Sequence, residues 1–562
     1  MYKKVKFAVI FSSALLLVSH SHGAQYRVVE LPIASLAENS FPSAINASGT
    51  VSVNLQSPYN PTIDFTLLDF ASAIMLTYLT DIESAKGWDL NDTDYTFVYT
   101  YISSNSENQF FQQIASYNSY LADESSDELL HGFDSIDSST GAYRNSATTM
   151  VRGINDLGHA VGLSQDGFYL LSYVSNDVID VTYVLNDFYS RGFALIEGKS
   201  FELLPPDITA GGLSDAYDIN ANNQVVGIGT TAITSSAFKA SVEACDDEDK
   251  RGDIPLESCL RALSIELNNN VSSIAQQRGI IWQLDGKGNT SEILVLDMLI
   301  TPDITDTTIY SSTAVAINDY GVAVGESPAQ YLATSSLTTA AAFYINDEVL
   351  TINYDDGVYA SAATDVNNDN LAVGYVTKNV SGLTKTKFFV HDINASLTSY
   401  PDDFFSSSGS VANAINNQGM VVGYGESEAT SGLRRTEGFL YDYRNDLFVG
   451  LNSLLECNSP FTISQANAIN DDNEIAATAL MTGPARDIKG NIIYDSLGAQ
   501  TEVDYVVAVK LIPISGGSVD NCSAYEEQEV RQGASLNLLM LSFLFGFVLL
   551  RHAVFARRVT GN

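Results

Sequence analysis

A short polar turn between two apolar pairs recurs seven times, and this repeat constrains the fold more than any other feature of the chain. The copy AINNQGMVVG, which begins at Ala414, shows the pattern of one Asn followed three residues later by Gly or Asn. The shared asparagines are Asn46, Asn155, Asn220, Asn318, Asn367, Asn416 and Asn470. The residues three positions later are Gly49, Gly158, Asn223, Gly321, Asn370, Gly419 and Asn473. Since Gly and Asn adopt left-handed backbone at low cost, each copy is predicted to be a tight β-hairpin whose Asn bonds its own turn.

The spacing of the repeats predicts an all-β propeller. Successive asparagines differ by 109, 65, 98, 49, 49 and 54 positions, so the basal unit is near fifty residues and the earlier copies carry insertions. Fifty residues suit one four-stranded blade, and seven copies predict seven blades. An eight-bladed ring stays open because 109 is close to twice the basal unit, and a β-solenoid is the competing architecture.

Two further features support the ring. Gly162, Gly227, Gly325, Gly374 and Gly423 stand at the far end of five copies and indicate close approach of another backbone. The copies at Asn46 and Asn470 lack this glycine, which is expected of the blades that close a ring, and the segment YRVVELP from Tyr26 is predicted to lend a strand to the last blade. Helical periodicity is scarce outside the chain ends and the stretch 257–267.

The hairpin, followed in later copies by a strand such as GFLYDY from Gly438, resembles the extracellular HAF-type repeats. Together with the two ends of the chain, it is similar to an uncharacterised exported bacterial family that carries such repeats. The resemblance covers most of the chain after residue 24 and implies no known activity.

Both ends of the chain have the pattern of targeting signals. Three lysines, an apolar run from Phe7 and small residues up to Gly23 and Ala24 predict a secretory signal peptide over 1–23. The repeat domain is predicted over 25–525 and an acidic linker over 526–533. Residues 534–558 contain an apolar stretch long enough for a single C-terminal transmembrane helix, with Arg557 and Arg558 on the cytoplasmic side.

Gly533 and Ala534, the apolar stretch and the terminal arginines resemble a Gly-Gly-type C-terminal sorting tail. In that family a rhomboid-type membrane protease cuts near the small residues and releases the protein. The resemblance therefore implies export machinery and such a protease as partners. The location is either membrane-anchored and facing the periplasm, or the cell surface or medium after processing. The second glycine is replaced by Ala534, so processing stays open.

Four cysteines fit an oxidising compartment. We predict that Cys245 pairs with Cys259 around a short charged loop and that Cys457 pairs with Cys522 across the final repeat, among three connectivities.

The composition narrows the classes of molecule that can bind the chain. There are 28 basic and 67 acidic residues, a formal charge of -39 that repels phosphate backbones, so nucleic acid is excluded as a natural partner. No nucleophile elbow, phosphate loop or zinc-protease motif is present, and no catalytic residue or cofactor is assigned. Acidic pairs such as Asp81 with Glu83, or Asp355 with Asp356, have the chemistry of a glycosidase but also arise by chance in so acidic a chain.

One loop has the spacing of a calcium site. Asp365, Asn367 and Asp369 place oxygen ligands at alternate positions, although the closing bidentate acid of an EF-hand is missing. Ordinary Asn and Asp turn chemistry explains the same residues.

The insertions are the expected place for function, because loops on a rigid scaffold carry most binding sites. Residues 56–142 hold Trp88 and many Tyr and Phe, which either lie in buried strands or present aromatic rings to a sugar or protein partner. Three hypotheses stand: a non-enzymatic binding scaffold of the surface or envelope, which we favour; a glycan-active propeller enzyme; and a calcium-stabilised adhesion or structural component.

Overall fold

The structure is a computed structural model that describes residues 25–175, 179–303, 305–330, 336–352, 357–428 and 434–519. Over these residues the chain folds into a β-propeller of seven four-stranded antiparallel sheets, with one extra two-stranded hairpin. The prediction of a seven-bladed ring is confirmed, and the eight-bladed and solenoid alternatives are wrong. The spacing of 109 residues comes from a helical insertion in the first blade, not from a decayed extra blade.

The blades follow one another in chain order, and their strands are given from the innermost to the outermost. Blade 1 contains β2 (Ala37–Ile45), β3 (Val51–Pro58), β4 (Tyr117–Ala122) and β5 (Asp127–Leu130). Blade 2 contains β6 (Thr149–Ile154), β7 (Ala160–Gln165), β10 (Ser190–Ile196) and β11 (Lys199–Leu203), with the hairpin β8 (Tyr169–Ser175) and β9 (Ile179–Leu185) inserted. Blade 3 contains β12 (Ser214–Ile219), β13 (Gln224–Ile233), β14 (Ala275–Leu284) and β15 (Thr290–Val295).

The remaining blades are closer to the basal repeat length. Blade 4 contains β16 (Thr313–Ile317), β17 (Ala323–Gln330), β18 (Leu337–Ile345) and β19 (Glu348–Leu350). Blade 5 contains β20 (Val358–Val366), β21 (Leu371–Val380), β22 (Leu383–Asp392) and β23 (Leu397–Ser399). Blade 6 contains β24 (Ser410–Ile415), β25 (Met420–Glu426), β26 (Thr436–Asp442) and β27 (Leu447–Gly450). Blade 7 contains β28 (Thr462–Ile469), β29 (Ile475–Pro484), β30 (Glu502–Pro513) and β1 (Tyr26–Glu30).

The ring closes in blade 7, where the start of the chain supplies the outermost strand. Strand β1 pairs antiparallel with β30, with Tyr26 opposite Pro513 and Glu30 opposite Val509. This is the strand that the segment YRVVELP was predicted to lend. Because the first and last parts of the domain share one sheet, the ring cannot open without breaking this pairing.

The apolar pairs of the repeat form the core, which lies between neighbouring blades. In β25, Val421 packs in a cluster with blade 5, whereas Val422 packs in a cluster with blade 7. Successive side chains of a strand point to opposite faces, so two adjacent apolar residues serve two interfaces. Each fully buried aliphatic or aromatic side chain contributes roughly 1.5–3 kcal/mol. The repeat therefore specifies interblade packing as well as the turn.

The recurring glycines of the second strands lie against the β-bulge of the innermost strand. A Cβ on Gly423 would lie 2.0 Å from the carbonyl oxygen of Val411, and a Cβ on Gly325 would lie 2.0 Å from that of Thr313. The innermost strand carries a β-bulge in every blade, and the unpaired residue lies three positions before the turn Asn. The glycine is required because the bulged backbone leaves no space for a side chain.

Helices occur in two insertions, and most of them were not expected from the sequence. Those of blade 1 are α1 (Ala73–Tyr78), α2 (Ile82–Lys86) and α3 (Asp92–Ser103). Those of blade 3 are α4 (Ser236–Asp246), α5 (Glu248–Arg251) and α6 (Leu256–Ile274). Only α6 was anticipated, over 257–267. The aromatic residues of α3 thus lie on a helix and not in buried strands, since Asn91 accepts the N–H of Asp94 as an N-cap and fixes the helix start.

Within the part of the chain that the structure describes, no helix has the length and apolar character needed to cross a membrane. The predicted signal peptide (1–23), linker (526–533) and sorting tail (534–558), with Gly23, Ala24, Gly533 and Ala534, lie outside the described residues.

Candidate functional site

The seven repeat turns form one face of the ring, which we call the turn face. Each turn Asn accepts, through Oδ1, the backbone N–H groups two and four residues later, as Asn367 does from Asp369 and Leu371 at 3.0 Å each. Each residue three positions later has positive φ, from 56° at Asn223 to 81° at Gly321. The Oδ1 atoms of the repeat asparagines are therefore used in turn formation. Their role here is structural.

The two faces of the ring differ because strand direction alternates. The connections between second and third strands emerge on the opposite side, which we call the insertion face. The three large insertions, 59–116, 166–189 and 234–274, all occur at this connection. They pack on each other: Arg261 Nε donates to Asn186 Oδ1 at 2.9 Å, and its NH1 donates to the carbonyl of Glu107 at 2.8 Å. The insertions thus form a continuous cap over blades 1 to 3.

A cavity of about 500 Å³ lies in this cap, between the blade 1 insertion and the connection from blade 1 to blade 2. Four aromatic and four strongly polar side chains face it. We call it the aromatic cleft and define it by Asp64, Phe65, Trp88, Gln112, Asp137, Tyr143, Arg144 and Phe168. A concave site with aromatic walls and a few converging polar groups is typical of small-ligand binding.

Trp88 has an unusual backbone in this cleft. Its side chain is 56% exposed, its ring stacks on Phe65 with centroids 6.3 Å apart, and its φ is 64°. It follows α2, where its N–H donates to the carbonyl of Ala85 at 2.9 Å and the next N–H donates to that of Ser84 at 3.0 Å. A Gly normally takes this left-handed position after a helix. Here Gly87 comes one residue too early, so a bulky residue holds a conformation that costs roughly 1–3 kcal/mol.

Arg144 organises the polar side of the cleft. Its NH1 lies 3.4 Å from Asp64 Oδ2 and 3.3 Å from Asp137 Oδ2, and its guanidinium lies 4.9 Å from the centre of the Phe168 ring. The hydroxyl and N–H of Ser139 and, more weakly, the charge of Arg144 lower the pKa of Asp137. The cleft therefore holds an ionised Asp137 in a fixed position beside an aromatic wall.

Tyr143 forms the opposite rim. Its ring is 40% exposed and stacks on His131 with centroids 3.6 Å apart. Burial lowers the pKa of His131, an effect that outweighs the charge of Asp134, so the imidazole is neutral at pH 7. The neutral imidazole of His131 packs on one face of the Tyr143 ring and holds that ring flat at the rim of the cleft.

A second, smaller cavity of about 190 Å³ lies on the propeller axis at the turn face. Asp218 lines it, and Asp365 occupies the same repeat position in blade 5, where other blades have only Ala or Gly. Burial raises the pKa of Asp218 to about 6 and that of Asp365 to about 7. Each carboxylate accepts two backbone N–H groups, one of which belongs to the next blade, Ile317 and Ile415 respectively.

These contacts bear on the calcium loop predicted at Asp365, Asn367 and Asp369. Asn367 uses Oδ1 for two N–H groups and donates Nδ2 to the carbonyl of Asn416 at 3.0 Å. Asp369 is exposed and lies 3.5 Å from Arg444. Across the described residues, no group of three or more His, Cys, Asp or Glu side chains is arranged for a metal ion. A calcium site at this loop stays a prediction.

Other residues that the sequence suggested have structural partners. Asp81 caps α2 by accepting the N–H and hydroxyl of Ser84, which lower its pKa, and Glu83 pairs with Lys86 at 2.7 Å. Asp355 and Asp356 lie outside the described residues.

The predicted disulfide between Cys245 and Cys259 is confirmed, and it joins α4 to α6. The predicted partner of Cys457, Cys522, lies outside the described residues, so that bridge stays a prediction.

Sequence reasoning found the segment that carries the cleft but missed most of its residues. Trp88 was singled out, whereas Asp64, Asp137, Tyr143 and Arg144 were not. Arg144 offered the clearest available signal, because it is one of few cations in a segment rich in Asp. Its two carboxylate partners are 80 and 7 positions away, a distance that no local pattern reveals.

A sequence-family profile described as "Protein of unknown function (DUF3466)" matches residues 5–552. No curated protein matches the chain. Solved structures that the chain resembles include a puromycin-hydrolysing peptidase of Mycobacterium tuberculosis, with a TM-score of 0.37 and 10% identity, covering 84% of this chain and 55% of that one. An acylaminoacyl peptidase of Pyrococcus horikoshii has a TM-score of 0.37 and 9% identity, covering 90% of this chain and 56% of that one.

The isopeptidase AtxE2 is more distant, with a TM-score of 0.23 and 9% identity, covering 81% of this chain and 59% of that one. The chain thus spans a little over half the length of these structures. Similarity at this level carries no information about activity.

Proposed function

The chain belongs to the DUF3466 family of proteins of unknown function, and we propose that it is an exported, non-enzymatic propeller that binds a saccharide in the aromatic cleft. The observation that carries the proposal is Trp88, a half-exposed indole held at φ 64° on the wall of a 500 Å³ cavity. Strained residues cluster at ligand sites because the surrounding structure is selected to hold them there. Among the described residues that have positive φ without being glycine, Trp88 is the only aromatic one.

The chemistry of the cleft suits a sugar ring. An exposed aromatic face covers the apolar C–H face of a pyranose, and the planar side chains at the base offer hydrogen bonds to hydroxyl groups. Asp64, Asp137 and Arg144 are mutually fixed, so little side-chain entropy is lost when a ligand binds. With a formal charge of -39 on the chain, neutral sugars and amino sugars are favoured over acidic ones.

A binding role is favoured over glycan hydrolysis. A glycosidase needs one carboxylic acid with a raised pKa and a second carboxylate near it. Asp64 and Asp137 both contact Arg144, and the pKa of Asp137 is lowered and not raised. The lowered pKa of Asp137 does not suit a proton donor. Because the cleft holds two carboxylates, glycan hydrolysis is the alternative that any binding experiment should also test.

Export rests on the two ends of the chain. We propose that residues 1–23 are removed as a signal peptide and that residues 534–558 anchor the protein in a membrane or are cut near Gly533 and Ala534 by a rhomboid-type protease. The Cys245–Cys259 disulfide fits an oxidising compartment. Fractionation with intact-mass analysis of wild type and the Gly533→Val, Ala534→Val variant tests the tail. Release of wild type but not of the variant supports processing, and a persistent full tail supports a stable anchor.

Intrinsic fluorescence offers a direct test of the cleft. The chain has two tryptophans, and Trp282 is fully buried with Nε1 bonded to the carbonyl of Leu204 at 2.8 Å. Iodide therefore quenches Trp88 selectively. We expect a bound oligosaccharide from a panel of neutral and amino-sugar oligomers to protect Trp88 from iodide and to give a matching heat of binding by calorimetry.

The matching variant is Trp88→Gly. It removes the indole and relieves the left-handed strain, so the thermal stability is expected to stay near wild type while binding is lost. Tyr494→Ala, which removes an exposed aromatic ring from the connection between β29 and β30 of blade 7, should bind as wild type. No binding by any member of the panel, or unchanged binding by Trp88→Gly, would refute the proposal. Cleavage of a bound oligosaccharide would instead favour the enzyme hypothesis.

A further inference from the structure

The outermost strand of blade 3 differs from the outermost strands of the other blades. Strand β15 has six residues, the longest of the seven outer strands, and its last three residues, Ile293, Leu294 and Val295, are each about 40% exposed. The other outer strands are shorter or carry more charges, as in β11, which contains Lys199 and Glu202. Natural sheets protect exposed edges with short strands and charges, because an apolar edge pairs with other chains. The apolar end of strand β15, from Ile293 to Val295, lacks that protection.

The free hydrogen-bonding groups of β15 can be assigned from its register. In the described part of the chain β15 pairs only with β14, with Ile281 opposite Leu294. The N–H of Leu296 donates to the carbonyl of Gly279 at 2.9 Å, so that residue points inward. Because direction alternates along a strand, Leu294 also points its N–H and C=O toward β14. Ile293 and Val295 therefore point theirs away from the sheet, where a further strand would bond to them.

A groove of about 350 Å³ runs beside this edge, between blades 3 and 4. Its apolar part is made by Leu294, Val349 and the rings of Tyr320 and Tyr344, and Tyr320 is 76% exposed. Its polar part is acidic, and the four carboxylates are those of Glu292, Asp297, Asp347 and Glu348. Among the described residues that line the groove there is no Lys or Arg. A segment that fits it must bring apolar side chains and positive charge together.

We propose that β15 and this groove bind an extended, basic segment of another protein, which adds as a fifth strand to blade 3. Main-chain hydrogen bonds to Ile293 and Val295 hold the segment, as in other cases of strand addition. Alternate side chains then enter the groove beside Leu294, where the apolar surface and the carboxylates select Val, Ile or Leu interspersed with Lys or Arg. This surface is separate from the aromatic cleft, which lies on the insertion face.

A second copy of this chain is a poorer occupant. Antiparallel pairing of two β15 strands would bring two acidic grooves together, and each chain carries a formal charge of -39. Like charges across an interface oppose association, whereas a basic segment gains from the same field. The negative charge of the groove therefore favours a basic segment over a second copy of this chain.

The test uses the full mature chain and a fluorescein-labelled, C-terminally amidated peptide of alternating Lys and Val, seven residues long, with the Glu and Val counterpart as the acidic control. We expect saturable binding of the Lys peptide by fluorescence anisotropy, weakening as salt rises from 50 to 500 mM, and no binding of the Glu peptide.

Two variants separate the main chain from the groove. Ile293→Pro removes an outward N–H without disturbing the bonds to β14, since Pro is tolerated on an edge with its nitrogen facing solvent. Leu294→Lys places a positive charge in the groove, and this charge repels the positively charged peptide. Each variant is expected to weaken the binding of the Lys peptide at least tenfold, with little change in the melting temperature of the protein. The matched control is Leu397→Lys on β23, the same substitution at an exposed site on a three-residue outer strand, which should bind as wild type.

The proposal is overturned if the Lys peptide does not bind wild type, or if both variants bind it unchanged. It is also overturned if wild type sediments as a dimer that Leu294→Lys dissociates, because the occupant is then a second copy. Cross-linking of β15 to residues 520–533 in the unliganded protein would make a segment of the same chain the occupant and refute it as well.

Discussion

The side-chain Nδ2 of Asn470 in blade 7 donates a hydrogen bond of 3.0 Å to the backbone carbonyl oxygen of Asn46 in blade 1. The same bond joins each turn Asn to the next one around the ring, with distances of 2.9 to 3.3 Å. Seven side chains thus form a closed circle of hydrogen bonds at the turn face. The repeated Asn has two functions at once, since Oδ1 builds its own turn and Nδ2 joins the neighbouring blade.

Substitution of Asn367 separates these two functions. Asn367→Ala removes the acceptor for two N–H groups and the donor to Asn416, and each buried unsatisfied group costs about 1–3 kcal/mol. Asn367→Asp keeps the acceptor but loses the donor, so we expect it to destabilise the protein less than Ala does. Chemical denaturation monitored by circular dichroism gives the order of the three stabilities.

The same pair of variants tests the calcium hypothesis. If Asn367 acts only in hydrogen bonding, millimolar calcium should change the stability of neither variant, and EDTA should leave the stability of the wild type unchanged. If calcium binds at this loop, the extra carboxylate of Asn367→Asp should raise the stabilisation by calcium above that of wild type. Stabilisation of that kind would contradict the purely structural role.

Glycines at two positions of the repeat should differ sharply in tolerance. Gly423→Ala places a Cβ 2.0 Å from the carbonyl oxygen of Val411, and we expect a loss of about 3 kcal/mol or more. Gly158→Asn is the control, because Gly158 has φ 78° with no atom within 4 Å of a built Cβ, and Asn223 holds the same turn position at φ 56°. Its expected cost is within about 1 kcal/mol. Similar melting temperatures for the two variants would contradict the assigned roles.

Stability should rise as the pH falls from 8 to 5 because of the two axial carboxyl groups. Burial raises the pKa of Asp365 from 3.8 to about 7 and that of Asp218 to about 6. The folded state therefore binds protons that the unfolded state releases in this range, and the stabilisation is lost as the pH rises through 6 to 7. The variant Asp218→Asn, Asp365→Asn is expected to flatten the pH dependence of the melting temperature, and in a domain of this size each kcal/mol corresponds to about 1 °C.

Asp81→Asn provides the control for this experiment. Hydrogen bonds from Ser84 lower the pKa of Asp81, so it stays ionised throughout pH 5 to 8. Asn caps a helix about as well as Asp does, so this variant should change the stability little and leave the slope with pH unchanged. An unaltered slope in the double variant would show that the axial carboxyl groups do not titrate in this range.

The disulfide should stabilise the cap and not the ring. Cys245 and Cys259 are 14 positions apart, and closing a loop of this size contributes about 3 kcal/mol in the chain-entropy account. The helices α4 and α6 have a hydrophobic cluster of their own. We expect Cys245→Ala, Cys259→Ala to increase amide hydrogen exchange in 236–274 while the strands of blades 4 to 6 stay protected. Equal loss of protection in all blades would show that the cap and ring unfold as one unit.

The architecture was readable from the sequence because it follows from local chemistry repeated seven times. A position that accepts only Gly or Asn reports positive φ, and a paired Val reports a strand buried on both faces, as Val421 and Val422 show. The helices of blade 1 were missed because α3 is rich in Thr, Tyr, Phe and Val, which favour strands. Its N-cap at Asn91 and the packing of Val98 and Ile102 in the insertion core overcame that preference.

The sequence by itself determined the turns, the interblade apolar pairs, the number of blades and the closing strand, since each depends on residues close together in the chain or on their repetition. Only the tertiary structure decided where ligands have room to bind. The cleft joins Asp64 to Arg144, and the acidic groove joins Glu292 to Asp347, across loops whose ends meet only when neighbouring blades pack. Contacts of that kind follow from the path of the backbone through the ring, and no local preference of the residues encodes them.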